Sequence, residues 1–315
     1  MAMMTDGMTA EPVWDVGAEL GEGPVWVERD RALWFTDIKR RKLHRFDPAT
    51  GGQLSWDAPD MPGFCLPAAD GGFVVGLSDG LHRFDPGTGA FAPLAEVEPH
   101  LPRNRLNDAV VDPAGRLWFG TMDNGESDAS GALYRLHADG VPRVMGGQCT
   151  ITNGPAVSPD GRILYHVDTL GRTIHAFDLD EAGRLSGQRV FATIDPADGH
   201  PDGVSMDADG HVWVGLYGGW SARRYAPDGT LVDSVRFPVA NVTKVAFGGP
   251  DLCTAFATTA RQGLDAEALA AQPLAGALFA FPVTTPGLAG CEIKQGLTRA
   301  QDPQSGETRV DEDRP

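Results

Sequence analysis

Short β-rich runs return along this chain roughly every 40 to 48 residues: ALWFTDI, GFVVGLS, RLWFGTM, RILYHVD, HVWVGLY and LCTAFAT. That is the spacing of a propeller blade built from four strands. The runs carry the β-branched and aromatic residues that suit a pleated, buried surface. After most of them a second run ends in a turn, as in KLHRFDPATG, GLHRFDPGTG, ALYRLHADG and TIHAFDLDEAG. Asp-Pro and Asp-Gly pairs close such turns between antiparallel strands, because Gly takes a positive φ without steric cost. Six units of this kind predict an all-β, six-bladed β-propeller, a ring of repeats that forms a single domain despite 315 residues. The propeller is expected over 12–292, with the polar stretch 293–315 a disordered tail. One segment breaks the pattern: GLDAEALAAQPLAG, residues 263–276, is rich in helix formers and is expected as a short helical excursion in the sixth blade.

Four polar residues hold the same register within these repeats. Glu22, Asn107, Asn153 and Asp202 lie 11 or 12 positions before Trp34, Trp118, Tyr165 and Trp213, and each precedes a short apolar stretch. If that stretch is the innermost strand and the aromatic run the second, the offset is strand, turn, strand. The opening residues then gather at one mouth of the central channel. The six opening positions are Glu22, Phe64 or its neighbour, Asn107, Asn153, Asp202, and one near Thr243 or Lys244. Gly follows Glu22, Asn153 and Asp202, and taken singly an Asn-Gly or Asp-Gly pair reads as a turn. Four members in one register read as a shared site. Two carboxylates and two amide oxygens make a hard-oxygen set that suits one divalent cation, which also relieves the repulsion of the paired carboxylates.

Composition removes several classes of partner. A formal charge of −17 argues against nucleic acid and against an anionic membrane surface, both of which call for clustered Lys and Arg. Cys65, Cys149, Cys253 and Cys291 form no CxxC and read as reduced thiols. The start, MAMMTDGMTAEP, has neither the basic nor the apolar part of a secretory signal, and a cytoplasmic location is expected. His44, His82, His166, His175 and His211 show no zinc-site spacing.

The motifs LGEGPVW (20–26), RLNDAVVDPAGRLWFGTM (105–122), ITNGPAVSPDG (151–161), PDGVSMD (201–207) and FGGPDL (247–252) resemble the SMP-30/gluconolactonase/LRE family, over about residues 12–285. ITNGP with YHVDTL and FATTA looks most like its bacterial aldonolactonases, the xylono- and arabinolactonases. The resemblance implies a six-bladed propeller that hydrolyses a pentono- or hexonolactone, such as xylonolactone, arabinonolactone or gluconolactone, to its acid. It implies Glu22, Asn153 and Asp202 as metal ligands and Asp202 also as general base. Asn107 falls beside the metal, on the substrate or water side, and Arg105 matches a substrate-binding arginine. A further carboxylate belongs in the loop MDNGESDASG, where Asp123 and Glu126 are both candidates and Asp123 is taken as the substrate contact. The oxygen-rich set admits Ca²⁺, Zn²⁺, Mn²⁺, Mg²⁺ or Fe²⁺. Phe64, Tyr217 and Trp220 are candidates both for the mouth and for blade core, and His200 reads as a solvated loop residue. The partner expected is a small sugar lactone. The competing readings are a non-catalytic propeller that binds calcium or a sugar, and an esterase acting on simple esters through the same metal.

Overall fold

The computed structural model describes residues 9–297. These form six four-stranded antiparallel sheets whose inner strands adjoin in ring order around one channel, a six-bladed β-propeller. The inner strands are Gly21–Val27, Phe64–Pro67, Asn104–Val111, Thr152–Val157, His200–Met206 and Val242–Gly248. In blades 1 to 5 four consecutive strands run outward from the channel. Blade 6 has three strands from the C-terminal part of the chain, and its outermost place is taken by Glu11–Trp14. The register there, Glu11 opposite Ala280 and Trp14 opposite Leu278, closes the ring with the chain's own beginning.

Burial falls from channel to rim, which explains why only some strands are conspicuous in the sequence. Every residue of the second strands Ala32–Asp37 and Leu117–Asp123 is buried, whereas the outer strand Gly52–Asp57 is largely exposed. Strands covered on both faces read as continuous apolar runs; rim strands read as ordinary surface. The aromatic that marks each second strand packs between blades. Trp34 lies 4.3 Å from Phe73 of blade 2 between ring centroids, and Trp213 makes an edge contact with Phe247 of blade 6 at 5.9 Å. Its indole N–H is satisfied by an aspartate from the preceding turn: Trp34 to Asp30 at 2.9 Å, Trp118 to Asp112 at 2.8 Å, Trp213 to Asp207 at 3.2 Å. The repeat therefore conserves a buried polar device as well as an apolar pattern.

The helical excursion is present as Ala266–Ala271, capped by Asp265 and inserted between two strands of blade 6. The tail expected from Ile293 needs a correction at its start. Ile293 is fully buried against blades 2 and 3, its amide donates to Pro67 O at 2.9 Å, and Lys294 N–H donates to Gly115 O at 2.9 Å. One isoleucine in a polar stretch carries no periodicity, so its docking was not legible; residues 298–315 lie outside the described residues. All four cysteines are free. Among the described residues no helix is long and apolar enough to cross a membrane.

Candidate active site at the channel mouth

Five of the six inner strands slip register near the same point, between Glu22 and Val25, Leu106 and Ala109, Asn153 and Ala156, Pro201 and Val204, and Val242 and Lys244. A β-bulge turns side chains away from the regular pleat. Here the bulges turn Glu22, Asn107, Asn153 and Asp202 into one buried cavity of about 190 Å³ at the channel mouth. Blade 2 is the exception. Phe64 pairs regularly with Gly76 and is core, so of the aromatic candidates it leaves the mouth. Gly63, just before it, is required by close approach: a Cβ there would meet Asn107 O at 2.4 Å.

A chain of hydrogen bonds sets the polar side chains. Arg105 Nη1 donates to Asn107 Oδ1 at 2.7 Å, Asn107 Nδ2 donates to Asn153 Oδ1 at 2.9 Å and Thr152 O at 2.7 Å, and Asn153 Nδ2 donates to Thr169 Oγ1 at 2.9 Å. Opposite them Glu22 and Asp202 share a hydrogen bond, and Glu22 Oε2 also accepts the Gly23 amide at 2.8 Å. Burial and the field of Asp108 push the Glu22 carboxyl up to about 7, against the Gly23 amide and Lys244, which favour its ionised form. Burial and the adjacent Glu22 push Asp202 well above the usual carboxylate range. Burial draws the Arg105 guanidinium down to about 10, and Glu22, Glu126 and Asp202 oppose that, so it stays cationic at neutral pH.

This donor set fits a hard divalent cation. Two carboxylates in hydrogen-bond contact hold a proton between them unless a positive charge replaces it. The Asn153 amide oxygen, on the same cavity, could serve as a third donor, and the set contains no histidine. Among the described residues no three His, Cys, Asp or Glu side chains gather into a metal cluster, so any cation here rests on the two carboxylates plus amide oxygen.

The profile of the SMP-30/Gluconolactonase/LRE-like region matches residues 20–261. The chain belongs to this family. Among its relatives in the family, 6-deoxy-6-sulfogluconolactonase of Pseudomonas putida is 36% identical over 271 residues, covering 86% of this chain and 93% of the relative. L-arabinolactonase of Azospirillum brasilense is 38% identical over 280 residues, covering 87% and 92%. The calcium-binding protein regucalcin of Agrobacterium tumefaciens superposes with a TM-score of 0.87 at 30% identity, over 91% of this chain and 98% of its own.

Within this family member, the loop carboxylate is where sequence and structure part. Asp123 is fully buried and faces its own loop, accepting the amides of Gly125 at 3.2 Å and of Ser127 and Asp128 at 3.0 Å, plus the Ser127 hydroxyl at 3.0 Å. Those bonds hold its carboxyl far below the usual range. The choice of Asp123 as a substrate contact is therefore corrected: the carboxylate that lines the cavity is Glu126, placed there with a φ of 56°. His200 is not a free loop residue. It lines the cavity, with Nε2 3.1 Å from Arg172 Nη2 and Nδ1 3.3 Å from Thr169 O. Tyr217 lines the cavity and hydrogen-bonds Gln262 O, whereas Trp220 does not line it. The inner strand of blade 6 sends no side chain to the mouth: Thr243 Oγ1 donates to Gly21 O at 2.7 Å, and Lys244 pairs with Asp108. Thr169, Leu170 and Gln262 went unread because they lie on loops outside the repeat register.

Proposed function

We propose that this chain is a cytoplasmic sugar lactonase that opens a pentono- or hexonolactone to its aldonic acid at the channel mouth with one divalent cation. The convergence of Glu22 and Asp202 with the hydrogen-bonded chain Arg105–Asn107–Asn153 on one cavity is the observation that carries this reading. Family membership, and relatives named for action on sugar lactones, support it. Four free cysteines agree with a reducing compartment.

Glu22, Asn153 and Asp202 would hold the cation, which would supply polarisation of the lactone carbonyl and a counter-charge for the oxyanion. Asp202 takes a proton from the attacking water as its oxygen bonds to the carbonyl carbon. The ring C–O bond then breaks, and that proton passes to the departing ring oxygen, so water is consumed and hydroxy acid released. Arg105 presents its planar fork to ring hydroxyls and to the new carboxylate, held in place by Asn107. Glu126 lines the same cavity and accepts from a sugar hydroxyl.

The test is acid release in a pH-stat from xylono-, arabinono-, galactono- and gluconolactone, with simple aryl esters as controls, before and after chelation. We expect turnover of at least one aldonolactone above the spontaneous rate, lost on chelation and restored by a divalent ion. Asp202→Asn is expected to lower kcat on the order of 10²- to 10⁴-fold with the fold intact. Cation binding without turnover of any lactone would make this a binding propeller instead.

A further inference from the structure

Of the five bulges, those of blades 1, 3, 4 and 5 read Glu-Gly, Asn-Asp, Asn-Gly and Asp-Gly, so among these four blade 3 alone places a charged residue, Asp108, where the others have glycine. Asp108 and Lys244 are both buried, and Lys244 Nζ sits 2.6 Å and 2.7 Å from the two oxygens of Asp108. Blades 3 and 6 face each other across a ring of six, so this ion pair bridges the channel. On its way the Lys244 stem runs over Gly203, where a Cβ would lie 2.6 Å from its Cγ and Cδ. Asp108 also accepts its neighbour's amide, from Ala109 at 2.7 Å, and that of Gly154. The pair thus touches the backbone beside Asp202 and beside Asn153. It divides the channel: the polar mouth lies to one side, and to the other an apolar bore of about 360 Å³ lined by Val25, Phe64, Val204 and Phe247.

Asp108 is buried one residue from Asn107, and its field reaches both Glu22 and Asp202. Uncompensated, Asp108 would add a third negative charge to the field of Glu22 and Asp202, so a divalent cation at the mouth would be held more tightly and its pull on a carbonyl weakened. We propose that Lys244 is a built-in countercharge that cancels Asp108 and so limits the charge facing the cation to that of Glu22 and Asp202. This rests on the reading of the mouth as a cation site.

A double-mutant cycle read by calorimetric titration of Ca²⁺ and, separately, Mn²⁺ into dialysed protein at pH 8 tests it without reference to turnover. Lys244→Met leaves Asp108 uncompensated, and the cation should bind at least tenfold more tightly. Asp108→Asn leaves Lys244 unpaired, and the cation should bind at least tenfold more weakly. The double variant restores the charge and should return to within about threefold of wild type. Replacement of a buried pair by neutral groups of similar size is often tolerated, so the double variant keeps the cycle readable where a single variant folds poorly. Unchanged affinity in the single variants overturns the proposal. So does weakening in both without recovery in the double, which would mark the pair as a mere strut. Failure of the wild type to bind either ion overturns the cation reading itself, and is seen without any variant.

Discussion

Glu22 and Asp202 are carboxylates that the fold makes hard to ionise, and this gives the proposed cation binding a defined pH dependence. Burial raises both, helped by the field of Asp108 at Glu22 and by that of Glu22 at Asp202, and Glu22 rises to about 7 against an ordinary 4.5. A group whose folded pKa is raised favours the fold fully below its unfolded value, and that contribution is lost as pH rises through the folded one. The metal-free protein therefore loses stability from Glu22 between about pH 4.5 and 7. A divalent cation replaces the shared proton, so its stabilising effect grows over the same interval. We expect the rise in Tm on adding Ca²⁺ or Mn²⁺ to be larger at pH 8 than at pH 6, with protons released on binding as measured by calorimetry in two buffers of different ionisation heat. An equal Tm gain at both pH values would show that the pair does not hold the cation. The identity and grouping of these residues were legible in their common register. Their raised pKa values were not, because desolvation depends on what the rest of the ring excludes.

At the scale of the element, two local devices shape the mouth. The bulges turn the opening residues inward, and the loop after Met122 brings Glu126 to the cavity. That loop is organised around the buried Asp123 carboxylate, which gathers three backbone amides and one hydroxyl within five residues. Asp123→Ala removes the centre of this turn and the acceptor of the Gly125, Ser127 and Asp128 amides. Glu126 and Asn124, which accepts from Arg105 Nε at 3.2 Å, then lose their fixed positions. KM for the lactone is expected to rise on the order of tenfold with a smaller change in kcat, and steady-state kinetics on the variant checks it. A fall in kcat at unchanged KM would instead place Asp123 in the chemistry. The sequence offered Asp123 and Glu126 as equals, since both are carboxylates in one polar loop. Only the loop's closure upon Asp123 leaves Glu126 facing the cavity.

At the scale of the whole molecule, the ring is held shut by Glu11–Trp14 pairing with Leu278–Pro282. Removal of residues 1–14 exposes that edge and strips Trp14 from its edge contacts with Phe35 at 5.5 Å and His44 at 5.3 Å. We expect a fall in Tm on the order of 10 °C and concentration-dependent association, read by thermal melts and light scattering. A variant as stable and monodisperse as the full chain would show that the closure adds nothing. The chain by itself determined the number of blades, the second strands and the register of Glu22, Asn107, Asn153 and Asp202, because a repeat buries the same positions each time and burial leaves an apolar signature. Tertiary structure alone decided the closing strand, the docking of Ile293, the choice of Glu126 over Asp123, and the Asp108–Lys244 bridge. Each of these joins residues far apart in the chain or turns on the direction of one side chain. Neither leaves a periodic mark in the order of amino acids.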